Sequence, residues 1–171
     1  MARQIALLRG INVGGNKRLE MARLRRLLEE LGYEDVRTYV NSGNAVFSGP
    51  RRSEQHLEAA LAKTFGFDVP VVLRSRAELA DVVKANPLRG VVTDPAKYLV
   101  LFCADKASTD LAPADFAPET FEVRGREIYL WAPGGIGNSP LAKALANKSV
   151  GGKSTARNWR TVEKLLELAD G

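Results

Sequence analysis

The sequence is short of the residue types from which many enzyme centres are built. It has one histidine, His56, and one cysteine, Cys103, among 171 residues. A lone cysteine excludes an internal disulfide, and the two together supply too few ligands for a zinc site. His56 falls beside Leu57 in a predicted helix and reads as a solvated surface residue. Cys103 ends an apolar strand and reads as a small core residue. A metal site, a thiol nucleophile and a bound cofactor are therefore not expected. Aromatic residues are scarce, at 7%. Long apolar runs are missing as well. The first residues hold only Ile5 to Leu8, too short for a signal peptide, and no stretch approaches the roughly 20 apolar residues of a membrane span. The expectation is a soluble, cytoplasmic protein with no membrane partner. At 45% apolar residues the chain has enough material for a core, which excludes disordered and collagen-like classes.

A further absence is local. No acidic residue occurs from Met1 to Leu19, or from Ile128 to Val162. Formal net charge is +5 with a pI near 9.5, but it is distributed unevenly. Residues 1–52 carry net +5, residues 53–140 net −3, and residues 141–171 net +3. The two acid-free stretches hold nine basic residues, Arg3, Arg9, Lys17, Arg18, Lys143, Lys148, Lys153, Arg157 and Arg160, and eight of the fifteen glycines. The plain reading is solvated charge beside turn glycines. The overlap of the two also suits a site for an anion.

Periodicity and turn chemistry set out the elements. Gln4 to Leu8 reads as a buried strand. Leu24, Leu27, Leu28 and Leu31 recur at helical spacing, with Gly32 placed to end the helix in a left-handed conformation. Val36 to Val40 and Ala45 to Phe47 flank the turn Asn41-Ser-Gly-Asn44. Leu57, Ala60, Leu61 and Phe65 mark a second helix, and Val69 to Leu73 a fourth strand. The order β-α-β-β-α-β is that of ferredoxin-like domains. Ser75-Arg-Ala-Glu78 is a capping box opening a helix that Asn86-Pro87 stops. Tyr98 to Phe102 reads as a strand. Phe121 to Val123 and Ile128 to Trp131 form a hairpin, and Ser139-Pro140 opens a helix containing Leu141 and Leu145. A final helix is expected from Ser154 or Thr155, with Val162, Leu165, Leu166 and Ala169 as its apolar stripe. No repeat stands out. The expected fold is α+β, a ferredoxin-like subdomain over residues 1–75 packed with a smaller α+β subdomain over 76–171.

Three blocks resemble the signatures of a bacterial family, domain of unknown function 1697. They are Arg9-Gly-Ile-Asn-Val-Gly-Gly15, Thr38-Tyr-Val-Asn-Ser-Gly-Asn44 and Thr155-Ala-Arg-Asn-Trp-Arg-Thr161. Phe65 to Arg74 and Asn86-Pro87 are similar to that family too, so the likeness runs through essentially the whole chain. Asn41 departs from it, since many members carry Gln before the Ser-Gly-Asn turn. The resemblance implies an α+β fold with a ferredoxin-like half. It implies no activity.

Function must be argued from the Gly/Asn loops. Glycine lets a backbone approach a ligand and present several N–H groups, asparagine tolerates left-handed turns, and Lys or Arg adds charge-assisted bonds. The candidate ligand residues are Arg9, Asn12, Gly14, Gly15, Lys17, Ser42, Asn44, Gly151, Gly152, Lys153, Arg157 and Asn158. The first loop leaves a strand and enters a helix, and Gly151-Gly-Lys-Ser-Thr155 is read as entering the last helix. Established phosphate motifs fail. A P-loop needs Gly where residue 147 is Asn, and residue 12 breaks G-x-G-x-x-G. Tyr39, Phe47, Trp131 and Trp159 are candidates for stacking on a base, but the aromatic pattern of RNA-recognition modules is met only by Phe47. Trp159 reads better as a core anchor. The expected activity is binding of a phosphorylated or otherwise anionic small molecule. The alternatives are nucleic-acid binding, less favoured because the charge is local, and an enzyme stabilising transferring charge at the same loops, with no catalytic residue identified.

Overall fold

A computed structural model describes residues 2–12, 15, 17–40, 43–147 and 150–171. The chain divides into two compact units, residues 1–80 with 164–171, and residues 81–163.

The first unit runs β1 (Arg3–Leu8), α1 (Met21–Glu30), β2 (Glu34–Tyr39), β3 (Asn44–Ser48), α2 (Glu54–Phe65) and β4 (Val71–Ser75), and α3 (Arg76–Ala85) follows, begun in this unit and ended in the second. Its sheet order is β2-β3-β1-β4 with every neighbouring pair antiparallel, which is the ferredoxin-like arrangement. Period-two alternation decides which face is filled. Ala6 and Leu8 of β1, Ala45 and Phe47 of β3, and Val71 and Leu73 of β4 meet Leu24, Leu27 and Leu28 of α1 and Leu57 and Leu61 of α2. Each such side chain contributes about 1.5–3 kcal/mol on burial. Gly32 takes φ +95 just beyond α1, and Ser75 with Glu78 forms the reciprocal cap of α3.

In the second unit, β5 (Tyr98–Cys103), β6 (Thr120–Arg124), β7 (Glu127–Trp131), α4 (Pro140–Ala146) and β8 (Ser154–Asn158) lead into α5 (Trp159–Asp170). The sheet order is β6-β7-β5-β8, again antiparallel throughout. Its core joins Ile128 and Leu130 to Leu141 and Leu145 of α4, with Cys103 buried among them.

The two units are therefore one topology used twice, although no repeat is evident in the sequence. β3, β4 and α3 begin at Asn44, Val71 and Arg76, while β7, β8 and α5 begin at Glu127, Ser154 and Trp159, 83 residues later in each case. The agreement extends to single hydrogen bonds. Leu8 N–H donates to Gly43 O and Arg9 N–H to Pro70 O. At the matching places, Cys103 N–H donates to Arg126 O and Ala104 N–H to Lys153 O. Arg74 and Arg157 occupy equivalent positions in β4 and β8. Both are buried, and each donates through Nη1 to the preceding carbonyl at 2.9 Å. The main departure is the link between β5 and β6. Where the first unit has α1, residues 104–119 contain prolines at 113 and 118 and only a 3-10 turn, Pro113–Phe116.

One expectation needs correcting. The last helix starts at Trp159, and the preceding Ser154–Asn158 is strand β8. Thr155 and Arg157 alternate inward along it, and Asn158, not Ser154 or Thr155, caps α5 by accepting from Thr161 N–H at 2.9 Å.

Candidate functional site

The N-terminal candidates gather at one end of the first sheet. There the chain leaves β1, turns between β2 and β3, and enters β4. Leu8 N–H to Gly43 O (2.8 Å) ties the β1 exit to the turn, and Arg9 N–H to Pro70 O (3.0 Å) ties it to the β4 entry. Gly43, at φ +97, lies against Leu8 and Ile11 so closely that an added Cβ would come within 2.8 Å of Leu8 Cβ. The loop between β1 and α1 is held across its mouth. Asn12 Nδ2 donates to Leu19 O, Leu19 N–H returns a bond to Asn12 Oδ1, and Asn12 N–H donates to Lys17 O. Lys17 Nζ reaches Asp68 O at 3.0 Å. Asn44 is buried and donates to Tyr39 O, so it braces the β2–β3 turn. Gly15 is exposed with φ +80 and open space around it. Gly14 and Ser42 lie outside the described residues.

Three non-glycine residues at this end adopt left-handed backbone, Asn12 (φ +55), Lys17 (φ +48) and Val40 (φ +52). Asparagine does so readily, but a β-branched valine pays a steric cost of about 1–2 kcal/mol. Val40 is also half exposed, one of two such large apolar residues among those described. Backbone strain of this kind gathers where loops are shaped for something other than stability.

Charge follows the same pattern. Helix α1 begins after Glu20, whose side chain makes no capping bond, and its first turn holds no acid. Arg23, Arg25 and Arg26 occupy its first half and middle, and Glu29 and Glu30 its last turn. This is the reverse of what the helix dipole favours. Arg23 lies 4.7 Å over the Phe65 ring and Arg25 bonds Thr38 Oγ1, while Arg9, Arg18 and Arg26 are exposed. An open depression of about 330 Å³ lies beside the helix start, lined by Asn12, Arg18, Leu19, Glu20 and Met21. Arg18 was counted from sequence among the basic residues of the first acid-free stretch but not among the candidate ligands, and Arg23 and Arg26 were not singled out. The signal for the last two was the order of charge along the helix.

The C-terminal candidates do not form one group. Gly151, Gly152 and Lys153 precede β8, and Arg157 and Asn158 end it, so the strand separates them by roughly 13–17 Å. The sequence there is acid-free, yet the fold brings Asp105 in. Asp105 N–H donates to Gly151 O, and a Cβ at Gly152 would meet the Asp105 carboxylate. Arg157 donates to Thr155 Oγ1 (2.7 Å) and Ala156 O, and burial pulls its pKa down to about 10. It is still a cation at neutral pH, held inside the fold. Asn158 caps α5.

Trp159 is buried and stacks on Tyr98 at 4.9 Å, as a core anchor would. Cys103 is buried and forms no disulfide. Among the described residues no cluster of His, Cys, Asp and Glu suits a metal ion, and no helix is long and apolar enough to cross a membrane.

Comparison with known proteins agrees with this architecture. The family model described as "Protein of unknown function (DUF1697)" matches residues 1–129. The solved structure of a conserved bacterial protein, SP0830 from Streptococcus pneumoniae, is similar over 98% of both chains, at 25% identity and a TM-score of 0.71. No curated protein matches.

Proposed function

The chain belongs to the family described as a protein of unknown function, DUF1697, and we propose that this member binds a phosphorylated small molecule at the β1–α1 end of its first unit. The observation that carries this reading is the start of α1. An N-terminus with no side-chain cap already presents N–H groups and partial positive charge, its first turn holds Arg23 and no acid, and exposed Arg18 precedes it, with Glu20 at the N-cap as an opposing charge. Local sequence rules are broken in this way at functional sites. Arg18 and Arg26 would supply charge, the first-turn N–H groups would orient the anion, and Gly15 would leave room for it.

Magnitudes favour a ligand larger than phosphate itself. Three hydrogen bonds to a charged group contribute roughly 4–9 kcal/mol, against about 4–15 lost on association. A nucleotide or sugar phosphate adds the contacts that close the gap. The depression of about 330 Å³ is of a size for such a molecule. The same reading places the protein in a bacterial cytoplasm, where phosphorylated metabolites occur and a buried thiol such as Cys103 stays reduced.

Thermal unfolding with nucleotides, sugar phosphates and inorganic phosphate is the test. At least one organic phosphate should raise Tm by about 2 °C or more at millimolar concentration, and inorganic phosphate by less. Arg18→Ala should abolish the shift. No shift with any of them, or an undiminished one in Arg18→Ala, would remove the site. Binding to DNA or RNA with a steep salt dependence would replace the ligand class.

A further inference from the structure

Each edge strand of a sheet turns every second N–H and C=O away from its only neighbour. The two sheets present four edges, β2, β4, β6 and β8. Three are protected, each by a different device. β2 carries Glu34, Asp35 and Arg37, with an irregular register between Glu34 and Arg37. β6 carries Glu122 and Arg124, paired at 2.9 Å. β4 is capped outright. The outward N–H groups of Val71, Leu73 and Ser75 donate to the carboxylates of Glu58 (2.9 Å), Glu54 (2.7 Å) and Glu78 (2.7 Å).

β8, the counterpart of β4, has none of these. Counted from the N-cap, α4 has Pro140 and Ala144 where α2 has Glu54 and Glu58, and it contains no acid, so it offers β8 no carboxylate. Because Lys153 O accepts from Ala104, the alternating ladder turns Thr155 and Arg157 toward β5 and leaves Ser154, Ala156 and Asn158 facing outward. Among the described residues, no group accepts a hydrogen bond from the N–H of any of these three. Ala156 is exposed, and the strand's one charged side chain, Arg157, is buried. The edge carries small side chains and none of these guards.

We propose that β8 is a docking edge, and that its occupant is an extended acidic peptide of a partner protein, which adds to the sheet as a further strand. The acid comes from charge complementarity. The chain has no Asp or Glu from Ile128 to Val162, and exposed Arg160 stands just past the Asn158 end of the strand. Asp105 beside Gly152 makes the opposite end less basic, so the peptide's acids belong near Arg160. This proposal is independent of the phosphate site, which lies in the first unit.

The test is amide exchange and chemical shift on the full ¹⁵N-labelled chain. The probes are a ten-residue peptide alternating Val or Thr with Asp, and the same peptide with Lys for Asp. In the free protein, the N–H groups of Ser154, Ala156 and Asn158 should exchange at least 10-fold faster than those of Val71, Leu73 and Ser75. The acidic peptide should slow these three at least 10-fold and the Lys peptide should not. Ala156→Pro deletes an outward N–H without touching the bonds to β5, and should weaken binding at least 10-fold. If that variant fails to fold, Ala156→Glu keeps the backbone and opposes the charge, with the same expected loss. The proposal is overturned if the three amides are already protected in the monomer, if millimolar acidic peptide leaves them unchanged, or if the Lys peptide protects them equally. Protection that appears with dimerisation would overturn it too, by making a second copy the occupant.

Discussion

Among the described residues, one core cluster joins the first sheet to α1 and α2 and another joins the second sheet to α4, on the same strand order. The difference shows what the shared topology requires and what it leaves free. The ladder contacts at the β1 and β5 exits, the buried arginine in the last strand and the capped helix after it are kept in both. What changes is the segment after the first strand and the treatment of the last edge. In the first unit the freed segment became a strained, cationic loop and helix start. In the second it became a proline-containing link, and β8 lost its guards.

The largest expected effect tests that asymmetry in the cores. Phe47 and Leu130 hold equivalent positions, 83 residues apart, and are nearly inaccessible to solvent. Phe47 also packs its ring on Tyr33, 4.4 Å away. Phe47→Ala should cost about 3–5 kcal/mol and Leu130→Ala about 2–3, the lower part of its range, because fewer elements enclose it. Urea titration followed by far-UV circular dichroism measures both. A larger loss for Leu130→Ala would mean that the single-helix core is the better packed one.

A middle-sized effect separates the units by pH. Tyr98 and Tyr129 are buried and donate to Asn86 Oδ1 and Val82 O, each at 2.9 Å. Burial raises both phenols, Tyr98 to about 12 and Tyr129 further. Tyr33 is also raised by burial, but the Arg52 guanidinium pulls against it. A raised folded pKa means that the stabilising contribution is complete below the unfolded value near 10 and is lost as pH climbs through the folded value. Stability should therefore fall as pH rises from about 10 to about 12, the range over which Tyr98 titrates. Trp131 and Trp159 both lie in the second unit and report on it by fluorescence. A Tyr98→Phe/Tyr129→Phe variant should keep more of its stability at pH 11 relative to pH 8 than the wild type does. Equal losses in the two proteins would locate the alkaline transition elsewhere.

Much of the first unit was legible because its signals are local. Leucine spacing in α1, the Ser75–Glu78 box and the turn before Asn44 each specify an element without help from distant contacts. The duplication was not legible, because repeat-equivalent positions keep their roles but seldom their residues. Leu8 corresponds to Cys103 and Ser75 to Asn158, and Arg74 with Arg157 is a rare identity. Strand β8 was missed for a related reason: Ser-Thr-Ala-Arg-Asn is polar, and only its pairing with β5 reveals that Thr155 and Arg157 point inward. The candidate site divided along the same line. Glycine and asparagine marked the loop after β1, but the stretch read as a loop up to Asn158 ends in strand β8, and the asparagine side chains brace the fold, as Asn12, Asn44 and Asn158 do. Asp105 joined a stretch that looked free of acid because charge neutralisation happens in space, not along the chain.

The smallest expected effect concerns the helix caps that close each repeat, and it asks whether equivalence of position means equivalence of energy. Ser75 accepts from Glu78 N–H at 3.1 Å while Glu78 accepts from Ser75 N–H at 2.7 Å, so two donors are satisfied reciprocally. Asn158 accepts from Thr161 N–H, and the short threonine returns no such bond. Removing an N-cap costs about 0.5–2 kcal/mol. Ser75→Ala should fall in the upper half of that range and Asn158→Ala in the lower half, measured as shifts in the urea midpoint at pH 7. The reciprocal change sharpens the point. Thr161→Glu would give α5 the carboxylate that α3 already has, and should raise stability by a few tenths of a kcal/mol, because acid in a first turn also suits the helix dipole. If Asn158→Ala proves as costly as Ser75→Ala, the value of the cap lies in the single bond it accepts, and Glu78 serves the β4 edge more than the helix it begins.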